Sequence, residues 1–91
     1  MSPIYIPLNK VKTGQTCIIQ ELRSTEMQRR RMLDLGFIKG AKVKVMRRSP
    51  LGDPTAYLIR ETTIALRKEE ASKILVKVTD WLEGKLYDIY M

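Results

Sequence analysis

Apolar and polar positions alternate in short runs along this chain, and the pattern turns helical once. Ile4, Ile6 and Leu8 alternate, with Pro3 and Pro7 between them, which limits this stretch to a short edge strand. Thr13-Gly14-Gln15 marks a turn, and Thr16 to Leu22 then predicts a strand. Cys17-Ile18-Ile19 is too apolar for both faces to meet water, so Cys17 is expected as a small core hydrophobe. Thr25 and Gln28 have capping-box spacing, and Glu26 suits the positive end of a helix. Gly36 stands where a left-handed C-cap belongs. The short helix between them has Met32 and Leu35 on one face, Leu33 on another and Phe37 beyond the cap. Lys39-Gly40 makes a further turn, and Lys42, Val43, Lys44 and Val45 then predict a strand with one basic and one apolar face. Pro50 to Pro54 ends that strand. Thr55 to Arg60 and Thr62 to Arg67 predict a hairpin, with Ile64 and Leu66 inward opposite either Tyr57/Ile59 or Ala56/Leu58. Glu61 is unusual at such a turn. Lys68 to Lys73 reads as one helical turn, and Ile74, Val76 and Val78 as a last strand.

Five or six short strands, one helix and no βαβ repetition predict a mainly β fold, a small closed or partly open barrel that hides strand edges. With 91 residues there is room for one small domain with a thin core. The barrel is expected over residues 1–78. Residues 79–91, with Trp81, Leu82, Leu86, Tyr87, Ile89 and Tyr90, form an apolar and aromatic extension suited to covering the barrel or meeting a second chain.

Charge changes the picture more than composition does. At 44% hydrophobic and 30% charged residues the chain is ordinary globular protein. Its formal net charge is +7, and it is unevenly spread. Arg29, Arg30, Arg31, Lys39, Lys42, Lys44, Arg47 and Arg48 lie within twenty residues, opposed only by Asp34. Asp80, Glu83 and Asp88 outweigh Lys85 in the last thirteen. Such asymmetry calls for an anionic partner: nucleic acid, a membrane surface or an acidic protein face. No apolar run is long enough to span a bilayer, no signal peptide is recognisable, and the lone Cys17 fits a reducing compartment, so the expected location is cytoplasmic.

The chemistry available is narrow. Without histidine no Ser-His or Cys-His pair can form, and no glycine-rich loop resembles a phosphate cradle. Glu69 and Glu70 are neighbours that point apart on a helix, so neither a metal site nor a cofactor site is expected, and no enzymatic activity.

Several motifs in order carry a family resemblance: Arg30-Arg31-Met32-Leu33-Asp34-Leu35-Gly36-Phe37, Lys39-Gly40, Val43/Val45, Pro50-Leu51-Gly52-Asp53-Pro54, Ile64-Ala65-Leu66-Arg67 and Glu70-Ala71. Together they resemble the FeoA family of small cytosolic proteins of bacterial ferrous-iron transport, over roughly Leu8 to Val78. The resemblance implies an SH3-like β-barrel with a helix inserted after the first long strand. It also implies a non-enzymatic regulator working by protein–protein contact with the FeoB-type membrane transporter or its cytosolic GTP-binding domain. The family often has glycine where Glu61 stands, and the 79–91 extension lies beyond the common core.

The candidate partner-binding residues are Arg29, Arg30, Arg31, Lys42, Lys44, Arg47, Arg48 and Leu51. Three consecutive arginines fan around a helix by about 100° per step, so they cannot share one partner, and they also compensate the negative C-terminal end. Arg47 and Arg48 point to opposite faces of a strand, and one of them joins Lys42 and Lys44. Leu51, at a turn tip, is either folded back onto the barrel, the expectation taken here, or exposed as a partner anchor. Thr25, Gly36, Gly40, Pro50, Gly52, Asp53 and Pro54 are read as caps and turns, with Asp53 bonding its own backbone in an Asx-turn. Two further functions compete. One is a nucleic-acid-binding barrel, disfavoured because aromatics are few and not interleaved with the basic strand. The other is a stand-alone regulatory module of an iron-dependent repressor, against which no helix-turn-helix precedes the barrel. The basic strand also suits an anionic leaflet, and edge strands or the extension offer a route to a homo-oligomer.

Overall fold

The computed structural model describes residues 5–79. Within them β1 (Ile6–Pro7) leads into a 3-10 turn (Leu8–Lys10), then β2 (Thr16–Leu22), α1 (Glu26–Leu35), β3 (Lys42–Arg48), β4 (Thr55–Ile59), β5 (Thr62–Leu66), α2 (Lys68–Ala71) and β6 (Ile74–Val78). The strands form one antiparallel sheet in the order β1-β6-β2-β3-β4-β5. Among the described residues this order leaves β1 and β5 as edges, so the small barrel is partly open there. The edge strand at the start is shorter than the Ile4–Leu8 alternation predicts. Leu8 opens the 3-10 turn instead and is fully buried there. The extension beyond Thr79 lies outside the described residues.

The core follows the alternation. Cys17, Ile19, Val43, Val45, Tyr57, Ile59, Leu66, Ile74 and Val76 are all buried, and Met32, Phe37, Leu8, Val11 and Ala71 close the cluster. The hairpin therefore turns Tyr57 and Ile59 inward, and Ile64 is only partly buried. Cys17 is fully buried, with its Sγ 3.5 Å from the Val43 carbonyl.

Two places depart from simple alternation. Val45 faces Tyr57 but Arg47 faces Ala56, so Met46 is an extra, bulged residue in β3. A second register shift lies between Ile19 and Glu21 of β2, opposite β6. Each bulge moves the following residues to the other face of the sheet.

Helix α1 is delimited by its caps. The Thr25 side chain accepts from the Gln28 N–H at 3.3 Å. At the far end Gly36 has φ 102°, and its N–H and that of Phe37 bond back to Leu33 and Met32 carbonyls. This left-handed cap delivers Phe37 straight into the core. The Arg60 side chain packs 3.6 Å from where a Gly36 Cβ would sit, so the hairpin tip rests on the helix end.

Candidate functional site

The eight basic and apolar candidates separate into four places. On β3, Lys42 and Lys44 point out of the sheet while Val43 and Val45 point in. The Met46 bulge then puts Arg47, beside Ala56, on the outward face with the lysines, and turns Arg48 inward beside buried Thr55. Register extends this face across the sheet. Ile18 lies between Lys42 and Lys77, and Lys44 lies between Thr16 and Leu58. Ile18 and Leu58 are half-buried on the strands either side of β3, so Lys42 and Lys44 run down the middle of the face between them, with Lys77 and Arg47 beyond. A groove of about 400 Å³ runs along it, lined by Thr16, Lys42, Lys44, Leu58, Arg60 and Glu61.

Arg48 holds structure together. Its guanidinium donates to the Val11 carbonyl at 2.5 Å, to the Asn9 carbonyl at 3.4 Å and to Thr55 Oγ1 at 3.3 Å. It therefore ties the loop after β1 to β3 and β4.

On α1 the three arginines part company. Arg31 forms an ion pair with Glu70 of α2, joining the two helices. Arg29 and Arg30 are exposed and share a shallow groove with Ser24, Glu26, Leu33 and Asp34. Leu33 is 41% exposed on this side.

Leu51 corrects the expectation of burial. It is 93% exposed at the tip of the Pro50–Pro54 turn, because Gly52 at φ 87° turns the chain back without folding that side chain under. Asp53 corrects the local Asx-turn. Its Oδ1 accepts from the Lys68 N–H at 2.8 Å, fifteen residues away. Glu70 completes the N-terminus of α2 by accepting from the Arg67 N–H through Oε1 at 3.0 Å.

Ile18, Leu58 and Lys77 were not among the sequence candidates. Ile18 sits between two inward residues, and its outward position was implicit in that alternation. Leu58 could be assigned only once Tyr57 was known to face the core. Among the described residues no group of three or more His, Cys, Asp or Glu side chains is placed to hold a metal ion. No described helix is long and apolar enough to cross a membrane. Burial raises the Tyr57 phenol above its ordinary 10.0, against the opposing pull of Arg48 and a hydrogen bond with Thr55, so it stays neutral at physiological pH.

A family model described as the FeoA domain matches residues 6–78. The chain belongs to the FeoA family. A curated relative, the Fe(2+) transport protein A/Fe(2+) transporter FeoB fusion protein of Porphyromonas gingivalis, is 34% identical over 71 residues. That match covers 78% of this chain, and the chain spans only 8% of the fusion protein's length. The solution structure of FeoA from Chlorobium tepidum superposes with a TM-score of 0.76 at 34% identity, covering 80% of this chain and 70% of that one. FeoA of Stenotrophomonas maltophilia superposes with a TM-score of 0.65 at 28% identity, covering 77% and 87%. That protein was crystallised with zinc and is described as an SH3 domain protein possibly acting as a ferrous-iron transport activating factor. These structures agree with the SH3-like barrel of the FeoA chain described above.

Proposed function

We propose that this FeoA-family chain is a non-enzymatic, cytoplasmic accessory of ferrous-iron transport that docks on the cytosolic GTP-binding domain of an FeoB-type transporter. The observation that carries this reading is the Porphyromonas relative, in which an FeoA segment like this one belongs to the same polypeptide as FeoB. Covalent fusion keeps two partners at high effective concentration, which is of use where the two act on each other.

The outward β3 face fits the task. Lys42 and Lys44 form a basic stripe down β3, extended by Lys77 and Arg47 and flanked by the half-buried Ile18 and Leu58 on the neighbouring strands. Such a stripe steers association with an acidic surface and makes it depend on salt. The exposed Leu51 adds a single apolar anchor at a turn tip. Arg31 and Arg48 are outside this role because both are engaged within the chain.

The test is binding of the purified chain to the host transporter's GTP-binding domain by calorimetry. The wild-type chain is expected to bind saturably, and Lys44→Glu with Arg47→Glu to bind at least about tenfold more weakly, since each reversal removes an attraction and adds a repulsion. Equal affinity in the double variant would remove the β3 face from the account. Absence of any binding would remove the partner.

A further inference from the structure

On the inward side of the Met46 bulge, away from the Lys42/Lys44 face, lies a second and smaller cavity. It measures about 210 Å³ and is lined by Asn9, Lys10, Arg48, Gly52, Thr55, Tyr57 and Lys68. Three of these side chains are cationic and none is a carboxylate. Asp53 lies next to Lys68 and already accepts from the Lys68 backbone N–H. Among the described residues no carboxylate pairs with Arg48; its partners are two backbone carbonyls and a hydroxyl, all neutral.

One polar atom of the lining residues is unsatisfied. Asn9 Oδ1 is buried and finds no hydrogen-bond partner among the described residues. A half-turn of that amide presents N–H donors in its place. The Tyr57 phenol, neutral and hydrogen-bonded with Thr55, adds a hydroxyl to the lining. An arginine, two lysines, a phenol and an amide line one small space, an arrangement rich in donors whose positive charge outweighs the neighbouring Asp53 carboxylate that also acts on Tyr57.

We propose that this cavity binds a small oxyanion of the phosphate class, with Arg48, Lys10 and Lys68 supplying charge and Tyr57 and Asn9 supplying neutral donors. Three cations match a dianion better than a single carboxylate, and guanidinium and ammonium groups together give both directional and diffuse contact with phosphate oxygens. The same chemistry is offered by free inorganic phosphate and by a phosphate ester carried on a nucleotide.

The experiment is an amide-shift titration of the full isotope-labelled chain at constant ionic strength, once with inorganic phosphate and once with guanosine monophosphate. The proposal predicts saturable shifts grouped on Asn9, Lys10, Arg48, Gly52, Thr55 and Lys68. A response to inorganic phosphate identifies the free ion as sufficient, and a response to the ester alone identifies a carried phosphate. Lys10→Gln combined with Lys68→Gln alters two exposed side chains and leaves the Arg48 anchor intact. It should weaken binding at least about tenfold, as expected for losing charge-assisted hydrogen bonds. Unchanged affinity in that variant would overturn the proposal. So would an absence of shifts in the cavity at concentrations that already move the Lys42 and Lys44 amides.

Discussion

The Asp53 carboxylate accepts a hydrogen bond from the backbone N–H of Lys68 at 2.8 Å, which fastens the Pro50–Pro54 turn to the start of α2. That N–H belongs to the first turn of a helix and has no partner within it. Asp53→Ala should therefore cost about 1 kcal/mol of stability, the usual loss for a helix-capping acceptor. Asp53→Asn keeps an acceptor oxygen and should lose less. Urea unfolding of the two variants checks this, and equal losses would contradict the capping role.

The β4–β5 hairpin carries strain that its sequence announces. Arg60 and Glu61 have φ of 50° and 65°, both left-handed, as a two-residue primed turn requires. Such a conformation disfavours a side chain, whereas glycine adopts it freely. Glu61→Gly should raise stability by about 0.5–1 kcal/mol, seen as a higher denaturation midpoint at unchanged slope. Arg60 packs against Gly36, so the companion change at position 60 should gain less.

Arg31 and Glu70 provide a smaller effect. Their side chains are 53% and 19% exposed, so a double-mutant cycle should give a coupling below about 1 kcal/mol that shrinks as salt is added. Glu70→Ala should cost more than Arg31→Ala, because Glu70 also accepts from the Arg67 N–H. The reverse order would contradict this division of roles.

Tyr57 sets an alkaline limit. Its phenol ionises at higher pH in the folded chain than its ordinary 10.0, because burial disfavours the phenolate. Above that value the unfolded chain loses the proton first, so it binds fewer protons than the folded one and stability falls as pH rises. Below it the contribution is fully present. Thermal unfolding should show a midpoint that declines from about pH 10 upward, and Tyr57→Phe should flatten part of that decline.

Much of this was legible in the residues. Alternation through Val43/Val45 and Ile74/Val76, and the Thr25 and Gly36 caps, predict the strands and the helix because each is a local signal read within a few residues. The face assignment of Arg47 was not legible. Strict alternation from Lys42 and Lys44 points to Arg48, and only the Met46 bulge reverses it. A bulge answers to the partner strand, so it leaves little trace in its own. Leu51 and Asp53 were misjudged for a similar reason. The fate of a turn side chain depends on what lies across the fold, the start of α2 for Asp53 and solvent for Leu51, rather than on its neighbours in sequence. The cavity between Lys10, Arg48 and Lys68 joins three segments far apart in the chain and had no signature in any of them.

The function proposed for this chain turns on docking through the outward β3 face. The most direct measurement is a titration of isotope-labelled chain with the unlabelled GTP-binding domain, mapping amide shifts, with duplex DNA as a control. Docking through this face should give saturable shifts on Ile18, Lys42, Lys44, Arg47, Leu58 and Lys77, weakening as salt rises. Shifts produced by DNA alone, or confined to Arg29, Arg30 and Leu33 of α1, would contradict it.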